Sequence, residues 1–335
     1  MDLVTQTVLG AAVGEVVLGK KAGNKAILWG AIGGLLPDMD VLITPYFNDV
    51  DGLFVHRGFS HSLIFAFILA PLLGWLAYLI HKKKSGITKF EWINLVFWAA
   101  FTHPILDYFT TYGTGAFLPF SDYRVEFGTI GIVDIFYTLP IIIVLVIIVF
   151  LNRKSRLRRK LIVSTVLLTS IYIMATVGNK VYMNSIFKSA FANEDIEYSR
   201  FKTAPLPLTN FLWMGIAETE DGYYMGLYSN FDSKKPNEFI YIPRNNDLLT
   251  AYSNDPMLIK LIKFTKGYYH VGKDDYGLYL ADLRFGKEGI DEKADYIFKF
   301  YINSTNGKTV IEQSQRSRNI DGSSFADFID RIKGI

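Results

Sequence analysis

Three stretches of this chain run without a charged side chain for the width of a bilayer core, or nearly so: Ser62–Ile80, Ile135–Leu151 and Leu161–Asn179. A helix of about 20 apolar residues crosses the ~30 Å hydrocarbon layer. In lipid such a run must satisfy its own backbone hydrogen bonds, so it is read as a spanning helix. A fourth run, Phe90–Tyr108, is apolar through Leu95–Phe101 and then carries His103 and Asp107 near its far end. It spans as well, with one end that a lipid-exposed helix would not tolerate cheaply. The first 37 residues hold two shorter apolar segments, Leu3–Leu18 and Ala26–Leu36, parted by the basic loop GKKAGNK. They read as a short helical hairpin, in which Gly10 with Gly14 and Gly30 with Gly34 put small residues on one face of each helix.

Half of the residues are hydrophobic, yet one in five is charged, which fits a membrane part joined to a soluble part. The change of texture falls near Val181, after which Tyr-rich, period-two stretches such as GYYMGLYSNF and YIFKFYINS alternate with Gly, Asn and Asp turns. The expected fold is a polytopic all-α membrane domain over residues 1–180, with about six helices of which the first two are short. A soluble α+β domain over residues 181–335 follows it and ends in the amphipathic segment SSFADFIDRIKGI, a short helix capped by Ser323 or Ser324. The opening MDLVTQTVLG lacks the basic region and cleavage site of a secretory signal and is expected to belong to the fold. A net charge of +3, spread in short runs, argues against a nucleic-acid partner. With no cysteine, thiolate metal sites, disulfides and a cysteine nucleophile are excluded, so any metal must be held by His and carboxylates.

Basic residues concentrate at Lys20, Lys21 and Lys25, at His81–Lys84, and at Arg153–Lys160. The positive-inside rule assigns these three loops to the cytoplasm. Threading the chain accordingly sends Asp2, Asp38, Asp40, His56, His61, His103, Asp107 and Asp134 to the same, extracytoplasmic face, together with the C-terminal domain. Lys and Arg alone built this threading, so the convergence of carboxylates and imidazoles is independent of it.

Asp38 and Asp40 follow a helix that Pro37 helps to end and sit on a turn where both can converge on one divalent cation. His56 and His61 bracket Arg57 and Ser60 just before a long apolar helix. His103 and Asp107, at i and i+4, are neighbours on one helical face. Asp38, Asp40, His56, His61, His103 and Asp107 are therefore the candidate ligands for one or two ions, with zinc first and manganese or iron as alternatives. Arg57 and Arg124 are candidates for holding a phosphate bidentately, and Ser60 for touching the same substrate. Glu15, a carboxylate in the middle of the first apolar helix, reads as a ligand, a general base or a buried hydrogen-bond partner. Asp134, opening the fifth helix, reads as a catalytic or supporting carboxylate or simply a favourable charge at a helix N-terminus. Gln6, one turn into the first helix, is a neutral donor or weak ligand. His81 and His270 read as surface residues.

MDLVTQTVLGAAVGE, PDMD, HRGFSHS and HPILD, in that order, resemble the YdjM-like family of membrane-bound metal-dependent hydrolases over about residues 1–180. That family often has a Thr-His pair where this chain has Thr5-Gln6. The HxxxD element is also similar to one in the zinc-dependent phospholipase C and single-strand nuclease superfamily. The resemblance implies phosphoester hydrolysis on a membrane lipid or lipid-linked substrate. The competing expectation is a non-catalytic membrane sensor or assembly protein whose metal staples the helices.

Overall fold

The structure is a computed structural model that describes residues 1–287, 294–305, 308–314 and 322–335. The chain forms two compact units. The first comprises Met1–Ile43, Val55–Val177 and Pro207–Thr209, and the second Thr44–Phe54, Gly178–Leu206 and Asn210–Ile335. The helices up to the second unit's sheets are α1 (Leu3–Ala22), α2 (Asn24–Leu35), α3 (Asp49–Val55), α4 (Leu63–Ser85), α5 (Lys89–Tyr108), α6 (Ile135–Val149) and α7 (Arg156–Asn193). Among the described residues, four segments are long and apolar enough to cross a membrane: α1, Asn24–Tyr46, Leu63–Lys82 and α7; α6 is a shorter apolar helix.

In the helical unit, α1 begins on Asp2, whose carboxylate accepts from the Val4 and Thr5 amides. It runs for 20 residues, longer than the short helix expected, because Gly23 alone makes the turn into α2 with φ at 60°. Lys20 and Lys21 thus end α1, where cations suit the helix dipole. The two helices touch backbone to backbone. A Cβ on Gly10 would lie 2.4 Å from the Gly30 carbonyl oxygen, and one on Gly34 2.6 Å from that of Gln6.

A capping box of Thr88 and Glu91 opens α5. This helix packs against α1, α2 and α4, so its polar end faces protein instead of lipid. Trp29, Ala77, Trp92, Leu95 and Val96 fill the core there. A second core joins Leu9 and Ala12 of α1 to Ile141 and Ile148 of α6 and Ile162 of α7. His81 is no surface residue: half-buried, it accepts from the Trp29 indole at 3.0 Å and stacks on Trp92. Leu72, Leu76 and Ile80 of α4 and Leu139 and Ile143 of α6 point outward, as lipid-facing residues do.

The second unit holds two four-stranded antiparallel meanders. The first is β1 (Arg200–Pro205), β2 (Leu212–Glu218), β3 (Gly222–Ser229) and β4 (Ile240–Pro243). After α8 (Pro256–Phe264) come β5 (Tyr269–Asp274), β6 (Gly277–Asp282), β7 (Lys299–Thr305) and β8 (Lys308–Gln313), and then α9 (Gly322–Lys333). Strand β2 is buried on both faces. Trp213 and Ala217 pack with Phe187 and Phe191 from the end of α7, while Met214 and Ile216 pack with Tyr268 and Leu283. Thr44–Phe54, inside the 1–180 span expected of the membrane domain, groups with this unit. Phe54 meets the ring of Phe264 at 6.0 Å, and Asp51 pairs with Lys260. Helix α9 starts at Gly322, so Ser323 and Ser324 fall inside its first turn. His270 is also half-buried, with Nδ1 donating to the Pro243 carbonyl at 2.7 Å.

Candidate metal centre

Asp38 and Asp40 lie on a 3₁₀ turn, Leu36–Leu42, that continues α2 with Pro37 near its start. At about three residues per turn, positions two apart point in different directions. The two carboxylates therefore reach opposite nitrogens of one imidazole. Asp38 Oδ1 lies 3.1 Å from His61 Nε2, whereas Asp40 Oδ2 lies 3.3 Å from His61 Nδ1. Helix α5 supplies His103 and Asp107 from one face. His103 Nε2 is 3.0 Å from His61 Nε2 and 3.5 Å from Asp38 Oδ1, and Asp107 Oδ2 is 3.4 Å from His61 Nε2. Asp38, His61, His103 and Asp107 thereby bring one donor atom each within 4.8 Å of one another, and all four are buried.

The protonation pattern of this tetrad calls for a cation. His103 Nδ1 faces the Gly34 carbonyl at 2.5 Å, and a carbonyl only accepts, so Nδ1 carries the hydrogen. His61 Nδ1 lies 2.9 Å from Ser60 Oγ, whose own hydrogen goes to Asp40 Oδ2 at 2.6 Å, so this Nδ1 also carries its hydrogen; Asp40 Oδ2, 3.3 Å from the ring nitrogen, accepts from the Arg57 amide at 3.0 Å as well. In neutral rings both Nε2 atoms would then be bare lone pairs pointing at each other, an arrangement that a proton or a metal ion between them relieves. Asp38 Oδ2 and Asp107 Oδ2 are buried and have no hydrogen-bond partner. Burial by itself would keep His61 neutral, but its hydrogen bonds with Asp38 and Asp40 prevail and raise its pKa above the ordinary histidine value. The pocket attracts positive charge, and its donor set fits a divalent ion.

Of the six candidate ligands, Asp40 and His56 stand outside the tetrad. His56 Nδ1 pairs with Asp40 Oδ1 at 2.8 Å, and its side chain is 26% exposed, at the edge of the site. Asp40 thus holds both His61 and His56 in place, the outer-layer role that orients ligands and fixes tautomers. Ser60 is part of the same bracing. Arg57 is buried, with Nη1 donating to Thr110 Oγ1 at 2.9 Å, Nη2 to the Met1 carbonyl at 3.1 Å, and Nε 3.4 Å from Asp107 Oδ2. Its φ of 56° is unusual for a residue with a side chain and marks a backbone held by its surroundings. Arg124 donates to the carbonyls of Gly113 and His56, and both guanidinium groups lie over the ring of Tyr112, at 5.0 and 5.6 Å.

Glu15 and Asp134 take structural positions. Arg158 Nε and Nη2 each donate to a Glu15 oxygen at 2.7 Å, and its Nη1 donates to the Ile148 and Leu151 carbonyls at the end of α6. Glu15 also sits nine residues beyond Gln6 on α1, roughly 13 Å along the axis. Asp134 caps α6 through the Tyr137 amide and accepts from the Tyr172 hydroxyl at 2.9 Å. Gln6 does reach the centre. Its Nε2 donates to Asp107 Oδ1 at 2.9 Å and the His103 carbonyl at 3.2 Å, while its Oε1 is buried without a partner. Reading the sequence missed Thr110, Tyr112 and the Gly34 carbonyl. Only Thr110 had a signal, three residues past Asp107, where its hydroxyl donates back to the Asp107 carbonyl at 2.8 Å.

Inner membrane protein YbcI of Escherichia coli (strain K12) is 35% identical over 127 residues, covering 35% of this chain and 70% of that protein. The uncharacterized protein YfhP of Bacillus subtilis (strain 168) is 29% identical over 143 residues, 41% of this chain and 42% of that protein, so the match takes in less than half of YfhP. No solved structure matches the chain. The model of the YdjM inner membrane protein family matches residues 1–182, a span that contains the whole tetrad and every residue bracing it, and the chain belongs to that family.

Proposed function

We propose that this protein is a membrane-bound metal-dependent hydrolase acting on a phosphoester of a lipid or lipid-linked headgroup, with its site and second unit on the extracytoplasmic side of the cytoplasmic membrane. The observation that carries the reading is the facing pair of Nε2 atoms, 3.0 Å apart with both Nδ1 positions engaged and two buried carboxylate oxygens beside them that accept no hydrogen bond. Zinc, or manganese or iron, when bound there supplies an acidified water and polarises a phosphoryl oxygen. The 4.8 Å spread of the donors suits the shell of a single ion. His61, His103, Asp38 and Asp107 hold it. Asp40 and the Gly34 carbonyl fix the two imidazoles, and Arg57 fixes Asp107. The oxygen of Asp38 that lacks a partner is placed to accept a proton. On the side of His56, whose side chain is 26% exposed, Arg124 and the buried Arg57 gather on Tyr112, and Arg124 is the guanidinium that a phosphate would meet first.

Elemental analysis of detergent-purified protein, followed by a panel of phosphoesters with and without chelator, tests this reading. Bound metal, chelator-sensitive cleavage and loss of both in His61→Ala and His103→Ala are expected. Metal-free protein, or alanine variants that still cleave, would end it. One observation favours a second reading, a structural metal in a sensor or assembly protein: the donor side chains are at most 3% exposed. Stoichiometric metal that leaves only on unfolding, with no ester cleaved, would establish that alternative.

A further inference from the structure

The segment joining α5 to α6 is fixed in place, and what it turns outward is aromatic. Thr114 and Val125 exchange backbone hydrogen bonds at 2.9 Å, and the Phe127 amide donates to the Tyr108 carbonyl at 2.6 Å. The Gly115 amide donates to the Arg57 carbonyl at 2.9 Å, and the Leu63 amide to the Ala116 carbonyl at 3.0 Å. The segment is therefore stitched to the stretch that carries His61. Its exposed large hydrophobic side chains are Phe117, Phe120, Tyr123 and Phe127, with Phe120 84% exposed, and Val133 at its far end. By contrast, the outward faces of α4 and α6 are mainly aliphatic, as at Leu72, Ile80, Leu139 and Ile143.

A cluster of outward aromatic rings just ahead of the mainly aliphatic outer face of α6, and just past α5, which exposes Trp98 and Ile105, is the pattern of a membrane–water interface. Asp122, Arg124 and Glu126 alternate with the rings, so the segment is too polar for the hydrocarbon core. Four outward rings on a backbone this well tied are not the accident of a loose loop. We propose that residues 113–127 are seated in the headgroup layer of the bilayer, with Phe117 and Phe120 as anchors. The surface from which a lipid headgroup rises is then brought beside Arg57 and His56. The inference rests on the proposed function and on reading α5 and the 15-residue α6 as spanning helices in addition to the four segments long and apolar enough by themselves, and it deepens that function by naming the loop that presents the lipid.

The absence of cysteine makes the test direct, because a single introduced thiol carries a single nitroxide. Phe117→Cys, Phe120→Cys and Ile143→Cys are labelled separately in the full chain, reconstituted into phosphatidylcholine–phosphatidylglycerol vesicles, and read for collision with oxygen, which concentrates in lipid, and with a water-soluble nickel chelate. Both loop labels are expected at a depth between bulk water and Ile143, which reports the hydrocarbon. If the loop labels meet the nickel chelate as freely as a label in solution while Ile143 stays shielded from it, the proposal is overturned and the spanning reading survives. If Ile143 itself meets the chelate, the spanning reading falls and the proposal with it. Loop labels shielded from both reagents show a covering protein surface and also overturn it. Both loop positions are exposed, so these variants keep the fold, and none of the readings depends on catalysis.

Discussion

Asp40 shows how much of a metal centre lies beyond its ligands. It touches no tetrad carboxylate, yet it receives His61 Nδ1, His56 Nδ1, the Ser60 hydroxyl and the Arg57 amide. Asp40→Asn should leave the fold intact and weaken metal binding by about 10–100-fold, the usual effect of losing a carboxylate behind a histidine ligand; competition with a chromophoric chelator measures it. Arg158→Met makes a sharper demand on stability, because it strands Glu15 as an unpaired buried charge. A loss of about 3–5 kcal/mol is expected in denaturant unfolding of the detergent-solubilised protein. Replacing Glu15 and Arg158 together by apolar residues should cost much less, and an equal cost would refute the ion-pair account. The difference between Asp38 and Asp40 was not legible in PDMD, because whether two carboxylates converge depends on the pitch of the turn beneath them. His103 and Asp107 were legible, because α-helical spacing by itself puts them on one face.

At the scale of elements, the glycine spacing of the first two segments specified their packing directly, since only residues without a Cβ allow the approach seen between Gly10 and Gly30 or Gly34. Gly30→Val should break the α1–α2 contact and with it the folded yield, because the neighbour it would meet is backbone and cannot give way: a Cβ there would sit 2.3 Å from the Gly10 carbonyl oxygen. Gly178→Ala on α7 makes the control, for its Cβ would meet nothing within 4 Å. That change should raise stability by up to about 1 kcal/mol through helix propensity, and melting curves of the two variants should move in opposite directions. The length of α1 was not legible: the basic GKKAGNK suggests a loop, but a single glycine suffices for the turn, and lysines are at home in a last helical turn. The attachment of Thr44–Phe54 to the second unit was equally hidden, as its partners Lys260 and Phe264 lie some two hundred residues away.

At the scale of the whole molecule, an ion bound by the tetrad would tie together α2's continuation, the segment before α4, and α5. It should act as any ligand of the folded state does, adding about 4 kcal/mol when present at a thousand times its dissociation constant. Chelation is therefore expected to lower the unfolding temperature followed by the tryptophans of the helical unit and to leave Trp213 in the second unit unmoved. A shift of both, or of neither, would count against a centre confined to the first unit. Gly34 adds a consequence of its own. The same residue gives α1 its close seat, with a would-be Cβ 2.6 Å from the Gln6 carbonyl oxygen, and gives His103 the acceptor for its Nδ1. Helix assembly and imidazole orientation thus cannot be tuned separately in this protein: selection that acts on one acts on the other, and a mutational scan scored only on metal affinity would rank a residue with no side chain among the ligands.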